Sequence, residues 1–288
     1  MFDFFKRKKK SDNIEIHKKV KIGLALGGGG ARGIGHIGAL KAFEELGIKF
    51  DYVAGTSVGS IIGSLYAFGK TAAEIEELAK NLKKKDITRG SIPFIKPANP
   101  EKLEEQLNKA FGDITVFSEM KIPLTVVCTD LKTGKEVDFD YGNVAKVVSA
   151  SCAVPGVFLP VVYEDMHLVD GGLRNNVPVD VVKNMGANVV FAIDVNHLRG
   201  TGTQSLSTIS VLSSTIGIMM QAKVDNVLKN ADLIFEPSLE QFSPLKFEGV
   251  EEMIKIGYDT VMANKDKIQK MLGIHPKKIG KFFTNDKK

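Results

Sequence analysis

The stretch LALGGGGARGIGHIGAL, residues 24–40, sets four consecutive glycines between an apolar run and a run with helical spacing. Four glycines give the backbone a freedom that costs entropy on folding, so the loop is expected to hold something: a phosphate, a dinucleotide or an oxyanion. Working outward, VKIGLAL (20–26) reads as a buried strand and ARGIGHIGALKAFEELG (31–47) as a helix stopped at Gly47. IKFDYVAG (48–55) reads as a second strand, and SVGSIIGSLYAFG (57–69) as a helix of small residues. Strand, helix, strand and helix within fifty residues predict an α/β fold with a mostly parallel central sheet flanked by helices.

The three candidate occupants make different demands. Gly28, Gly30 and Gly33 satisfy G-x-G-x-x-G after a strand, the setting of a dinucleotide fingerprint. That fingerprint also needs an acidic residue ending the next strand, and Asp51 precedes the apolar part of its strand instead. A Walker-type loop needs Gly-Lys-Ser/Thr after the glycines, which the chain lacks there. What ends the second strand is GTSVG (55–59), a G-x-S-x-G elbow with Ser57 between Gly55 and Gly59. Small flanking residues let such a serine project from a sharp turn at a helix N-terminus, where amide dipoles favour developing negative charge. Acyl transfer then needs donors for the oxyanion, and the amides of Gly28, Gly29 and Gly30 are placed to supply them if the first two strands are neighbours. Arg32 is read either as steadying this loop, as meeting an anionic head group, or as a plain surface residue.

A serine nucleophile also needs a base. Of the five histidines, His17, His36, His167, His197 and His275, none has surroundings that single it out. LVDGGLRNNVP (168–178) offers Asp170 at a strand end, with Gly171 and Gly172 allowing close approach, although Asp-Gly-Gly is also ordinary turn chemistry.

GGGGARGIGHIGAL, GTSVG, SASCAVPGVFLPV (149–161) and DGGLRNNVP, in that order, resemble the blocks of the patatin-like phospholipases, specifically compact bacterial members related to the neuropathy-target-esterase group. The resemblance covers about residues 20–200. It implies a Ser57–Asp170 dyad without histidine, an oxyanion hole at residues 28–30, an acyl-enzyme on Ser57, and fatty-acyl ester substrates such as phospholipids or lysophospholipids. The dyad needs no metal or other cofactor, and no His-x-x-x-His or Cys-x-x-Cys pair is present. A carboxylesterase or thioesterase, or a regulatory module without turnover, are the competing readings.

Composition sets the frame. The 288 residues are 43% apolar and 25% charged, the balance of a soluble globular protein. Net charge is +5, but residues 1–21 carry eight Lys/Arg against three Asp/Glu and residues 277–288 carry five Lys against one Asp. The stretch between them is therefore net acidic. The expected organisation is a basic, flexible tail over 1–19, one hydrolase domain over 20–275 with a helix-rich C-terminal third, and a basic tail over 276–288. Such tails suit contact with an anionic membrane surface, and no nucleic-acid motif accompanies them. Two cysteines, Cys128 and Cys152, and no apolar segment after the N-terminal basic cluster fit a cytoplasmic protein, peripheral to the membrane at most. Nothing in the sequence fixes an oligomeric state. Two long uncharged runs, 52–73 and 200–222, are too rich in Gly, Ser, Thr and Gln to read as membrane spans.

Further elements follow from local signals. Thr71 and Glu74 form a capping box for a helix, and Asn99-Pro100 starts another. Residues 83–98 read as a long loop. Strands are expected at 122–130, 135–140, 160–163, 167–170, 188–195 and 231–236, and helices at 205–230 and 248–272.

Overall fold

The computed structural model describes residues 20–81, 97–113, 115–197, 208–221, 224–244 and 246–274. The basic tails and nearly all of the expected 83–98 loop lie outside these residues. The strands are β1 (Ile22–Leu26), β2 (Tyr52–Thr56), β3 (Leu124–Asp130), β4 (Lys135–Phe139), β5 (Val161–Tyr163), β6 (Met166–Asp170), β7 (Val189–Ile193) and β8 (Leu233–Phe235). The helices are α1 (Gly35–Glu45), α2 (Val58–Phe68), α3 (Ala72–Asn81), α4 (Glu101–Phe111), α5 (Val144–Ser151), α6 (Val179–Asn184), α7 (Thr208–Gln221), α8 (Val224–Leu228), α9 (Val250–Met262) and α10 (Lys265–Leu272).

The strands form a mixed sheet in the order β5-β6-β3-β2-β1-β7-β8, with β4 on the other side of β3. β3, β2, β1, β7 and β8 run parallel, while β4, β5 and β6 are antiparallel additions. The two faces of the sheet carry different side chains because strand residues alternate. Leu24, Leu26, Val53, Val126, Phe191 and Ile193 face one core, which also takes Ile37, Leu40 and Phe43 of α1 and Met253, Ile254 and Val261 of α9. Ala25, Ala54 and Ala192 face the other, aligned across three neighbouring strands. Their small size lets Val179, Val181 and Val182 of α6 close over that face.

The chain leaves β1 through the glycines into a 3₁₀ turn, Gly30–Ile34, and then α1, which ends at Leu46 with Gly47 at φ +71°. The Thr71–Glu74 capping box is present, with the Glu74 carboxylate accepting from the Thr71 amide at 2.8 Å. Two antiparallel hairpins form: β3 with β4 through 131–134, and β5 with β6 through 164–165. Cys128 and Cys152 are both buried free thiols. The uncharged run at 52–73 is accounted for by burial, since β2 and most of α2 lie inside the core. Among the described residues no helix is long and apolar enough to cross a membrane.

Candidate active site

The strand order brings the glycine loop, the elbow and the Asp-Gly-Gly turn to one edge of the sheet. β1 and β2 are parallel neighbours, so the loop after Leu26 and the elbow after Thr56 lie side by side. β3 sets the third component. Thr56, the last residue of β2, pairs with Val127, and Asp170, the last residue of β6, pairs with Cys128. β2 and β6 run in opposite directions along the same side of β3 and so meet end to end, with Ser57 one residue beyond the junction. Two segments more than a hundred residues apart are thus aligned by consecutive residues of one strand.

Ser57 has φ 51° and ψ −129°, a conformation that costs a residue with a Cβ on the order of 1–3 kcal/mol. Surrounding bonds hold it there. Its N–H donates to Ser151 Oγ at 2.9 Å, and Ser151 Oγ in turn donates to the Val127 carbonyl at 2.6 Å, tying the elbow to β3. The Ser57 carbonyl accepts from the Ser60 hydroxyl and amide. A Cβ on Gly59 would stand 2.2 Å from the Leu26 carbonyl, so only glycine lets α2 start this close to β1. Gly55 likewise faces the backbone of Gly59 and Ser60, and Gly33 faces the side chain of Val58.

Asp170 is 1% exposed and Ser57 7%. Asp170 Oδ1 accepts from the Gly172 N–H at 2.8 Å, whereas Oδ2 is buried without a hydrogen bond of good geometry. Burial pushes the Asp170 carboxyl up to about 6, and the nearby Ser57 hydroxyl and the Gly172 amide act against that rise. Gly171 brings the turn against the Val127 carbonyl, and Thr129 Oγ1 donates to the Asp170 carbonyl at 3.0 Å.

In the glycine loop the Gly28 N–H is already donated to the Asn176 carbonyl at 3.0 Å. The amides of Gly29 and Gly30 donate to no group among the described residues. Gly28 faces Ser57 directly: a Cβ there would lie 3.2 Å from Ser57 Cβ and 2.6 Å from Asn176 Oδ1. Arg32 is buried, which excludes the plain surface role. Its guanidinium donates to the Phe242 carbonyl at 2.9 Å, the Asn196 side chain at 3.1 Å and the Glu240 carbonyl at 3.3 Å, tying the loop to the segment before α9.

Among the described residues no histidine is bonded to Ser57. His36 is fully buried on α1, bonded through Nε2 to the Gly27 carbonyl at 2.8 Å, and desolvation pulls it down to about 4. It is neutral and supports the loop from beneath. His167 lies in the β5–β6 hairpin, and His17 and His275 fall outside the described residues. His197 Nδ1 is 3.2 Å from Glu236 Oε1 and 4.0 Å from Asp194 Oδ2. These three are the one group among the described residues with the donors to hold a cation, and an imidazole between two carboxylates is also an ordinary ion-pair arrangement. Asp51 accepts from the Ile22 amide at the start of β2, the edge of the sheet opposite the glycine loop, so it cannot serve a dinucleotide there.

The sequence reading did not single out Ser151, Asn176 or Cys152. Ser151 fixes the Ser57 amide, Asn176 clasps Gly28, and the Cys152 thiol lies against Ser57 and Ser60, pushed well up by burial. All three stand within or beside blocks already noticed, SASCAVPGVFLPV and DGGLRNNVP, and that position was the available signal.

An elbow serine, a buried carboxylate and a glycine loop at one edge of a mixed α/β sheet define the class of fold and site. The chain belongs to the patatin-like phospholipase family, whose model matches residues 24–183. It is 30% identical over 273 residues to a lysophospholipase of the Nte1 type from Aspergillus fumigatus, covering 82% of this chain and 18% of that protein. It is 34% identical over 179 residues to an uncharacterised NTE-family protein of Mycobacterium bovis, covering 61% of this chain and 49% of that one. The chain thus spans about a fifth to a half of the length of these relatives. VipD from Legionella pneumophila shares the fold at a TM-score of 0.59 and 16% identity, over 86% of this chain and 67% of its own.

Proposed function

We propose that the protein is a serine lipid acyl hydrolase that cleaves fatty-acyl esters of phospholipids or lysophospholipids through Ser57 and Asp170. The observation that carries this reading is the unbonded Oδ2 of buried Asp170 beside the strained elbow of Ser57. Family membership and the lysophospholipase relative support the substrate class.

In the proposed reaction, Ser57 Oγ attacks the ester carbonyl carbon while its proton passes to Asp170 Oδ2. The carbonyl oxygen becomes an oxyanion, for which the amides of Gly29 and Gly30 are the available donors; Gly28, committed to Asn176, shapes the loop. Collapse breaks the bond to the alcohol oxygen, which takes the proton from Asp170 and leaves an acyl-Ser57. Water then attacks the acyl carbon, again losing its proton to Asp170, and Ser57 recovers it as the fatty acid departs. A carboxylate is a weak base in water, and the desolvation that lifts Asp170 to about 6 brings it toward the range a general base needs.

The test is fatty-acid release from mixed phospholipid vesicles with a chelator present. The wild type should release fatty acid, and Ser57→Ala should lose the activity by roughly three orders of magnitude or more. Undiminished release by Ser57→Ala would refute the assignment. Hydrolysis confined to soluble short-chain esters would favour a carboxylesterase, and failure of a fluorophosphonate to label Ser57 would favour a module without turnover.

A further inference from the structure

Helix α7 presents an apolar stripe to solvent on its outer side and touches the candidate site on its inner side. The exposed positions Val211, Thr215, Ile218 and Met219 follow the i, i+4, i+7, i+8 spacing of one helical face. Val211 is 44% exposed, Ile218 63% and Met219 66%, inverting the polarity expected of a water-facing stripe. The helix is held from within. Met220 Cε lies 2.0 Å from where a Gly172 Cβ would stand, directly over the turn that carries Asp170. Gln221 Nε2 donates to Asp194 Oδ2 at 3.1 Å, pinning the C-terminal end.

Resting on the lipid-ester reading, we infer that α7 is the surface by which the protein docks on a phospholipid bilayer, its outer stripe entering the headgroup boundary beside the site. Charge patterning favours this occupant. Residues 200–222 contain no Asp, Glu, Lys or Arg, and in the sequence Arg199 precedes and Lys223 follows this uncharged run, a pattern that suits phosphate headgroups. Length sets the mode of contact: fourteen residues make a helix of about 21 Å, short of the roughly 30 Å hydrocarbon core, so the helix lies in the plane of the interface. A second copy of the chain is a poorer occupant, because a stable interface needs about 800 Å² from each partner and the four exposed side chains among the described residues of this stripe fall well short of that. The position also serves the chemistry. Ser57 and Asp170 are buried, and Met220, at the C-terminal end of α7, lies against Gly172, two residues from Asp170.

The chain contains no tryptophan, so Ile218→Trp places a single reporter on the stripe. With full-length protein and vesicles of phosphatidylcholine and phosphatidylglycerol, its emission should shift to the blue and be quenched by brominated acyl chains. Ile218→Glu combined with Met219→Glu should reduce vesicle binding and vesicle hydrolysis about tenfold or more, while hydrolysis of a monomeric short-chain ester stays within about twofold. Unshifted emission on vesicle-bound protein would overturn the proposal, as would full vesicle binding by the double variant or a wild-type dimer that the double variant abolishes. If the wild type hydrolyses no ester at all, the lipid-ester reading fails while the tryptophan readout still decides the docking.

Discussion

At Asp170 the proposed function and the stability of the fold pull in opposite directions. Its carboxyl is raised to about 6 by burial, against an ordinary value near 4, so an ionised Asp170 destabilises the native state by an amount on the order of 2–3 kcal/mol. The sign follows from proton binding: between about pH 4 and 6 the native protein holds a proton that the unfolded chain has released, and stability from this group falls as pH rises. Asp170→Asn keeps an acceptor for the Gly172 amide and removes the charge. It should abolish turnover yet melt no lower than the wild type, and its gain in melting temperature should grow from about pH 4 to pH 6 and stay constant above. In the wild type, kcat/KM should rise through about pH 6 as the base ionises. Near-normal turnover of Asp170→Asn would refute its role as base, and a pH-independent stability difference would refute the burial cost. At this scale the sequence was informative about placement: it put Ser57 at a strand-to-helix elbow and Asp170 at a strand end, and the structure has both there. What it could not supply was the engaged state of the Gly28 amide, which depends on Asn176 returning from far along the chain.

Elements were legible where a local signal marked them and obscure where packing decided. Glycine and capping signals located α1, α2, α3 and α4, and alternation or turn chemistry located the strands. Helix α5 went unread because Val144, Val147 and Val148 are β-branched and favour strands; its Asn143 cap, accepting from the Lys146 amide at 2.8 Å, and its burial outweigh that preference. The expected helix at 248–272 is two, α9 and α10, divided at Ala263–Asn264. Nor does the sequence disclose that α9 lies on α1. There the contact is backbone to backbone: a Cβ on Gly38 would stand 1.8 Å from the Ile254 carbonyl, and one on Gly257 would stand 1.9 Å from the Gly35 carbonyl. Neither obstacle is a flexible side chain that could swing aside, so the helices must separate to admit a methyl group. Gly38→Ala should therefore cost roughly 1–3 kcal/mol or more in a denaturant titration, despite the better helix propensity of alanine. An unchanged or increased stability would mean that the two helices are not in this close contact. Because α1 begins where the glycine loop ends, the same variant should also lower turnover.

For the whole molecule, the parallel core β3-β2-β1-β7-β8 follows from the alternation of strands and helices, but the antiparallel flank and the strand order do not. Alternation specifies neighbours in sequence, whereas the end-to-end meeting of β2 and β6 on β3 is a long-range pairing that no local pattern encodes. Charge is the other property that belongs to the whole chain. The net +5 is the sum of strongly basic ends and an acidic middle, so the molecule is electrically polarised along its sequence. A stripe with three exposed apolar side chains gives only marginal bilayer affinity by itself, and stable attachment generally takes a second signal. Residues 1–19 hold seven Lys/Arg against three Asp/Glu, and basic residues near an anionic surface contribute about 1 kcal/mol each before opposing charges are counted. Deleting residues 1–19 should weaken binding to anionic vesicles by about tenfold or more in low salt, spare hydrolysis of a soluble ester, and make little difference on neutral vesicles. In about 1 M salt, where the screening length shrinks to about 3 Å, the two proteins should bind alike. Equal binding at low salt would leave α7 as the whole of the attachment and strip the basic end of any part in it.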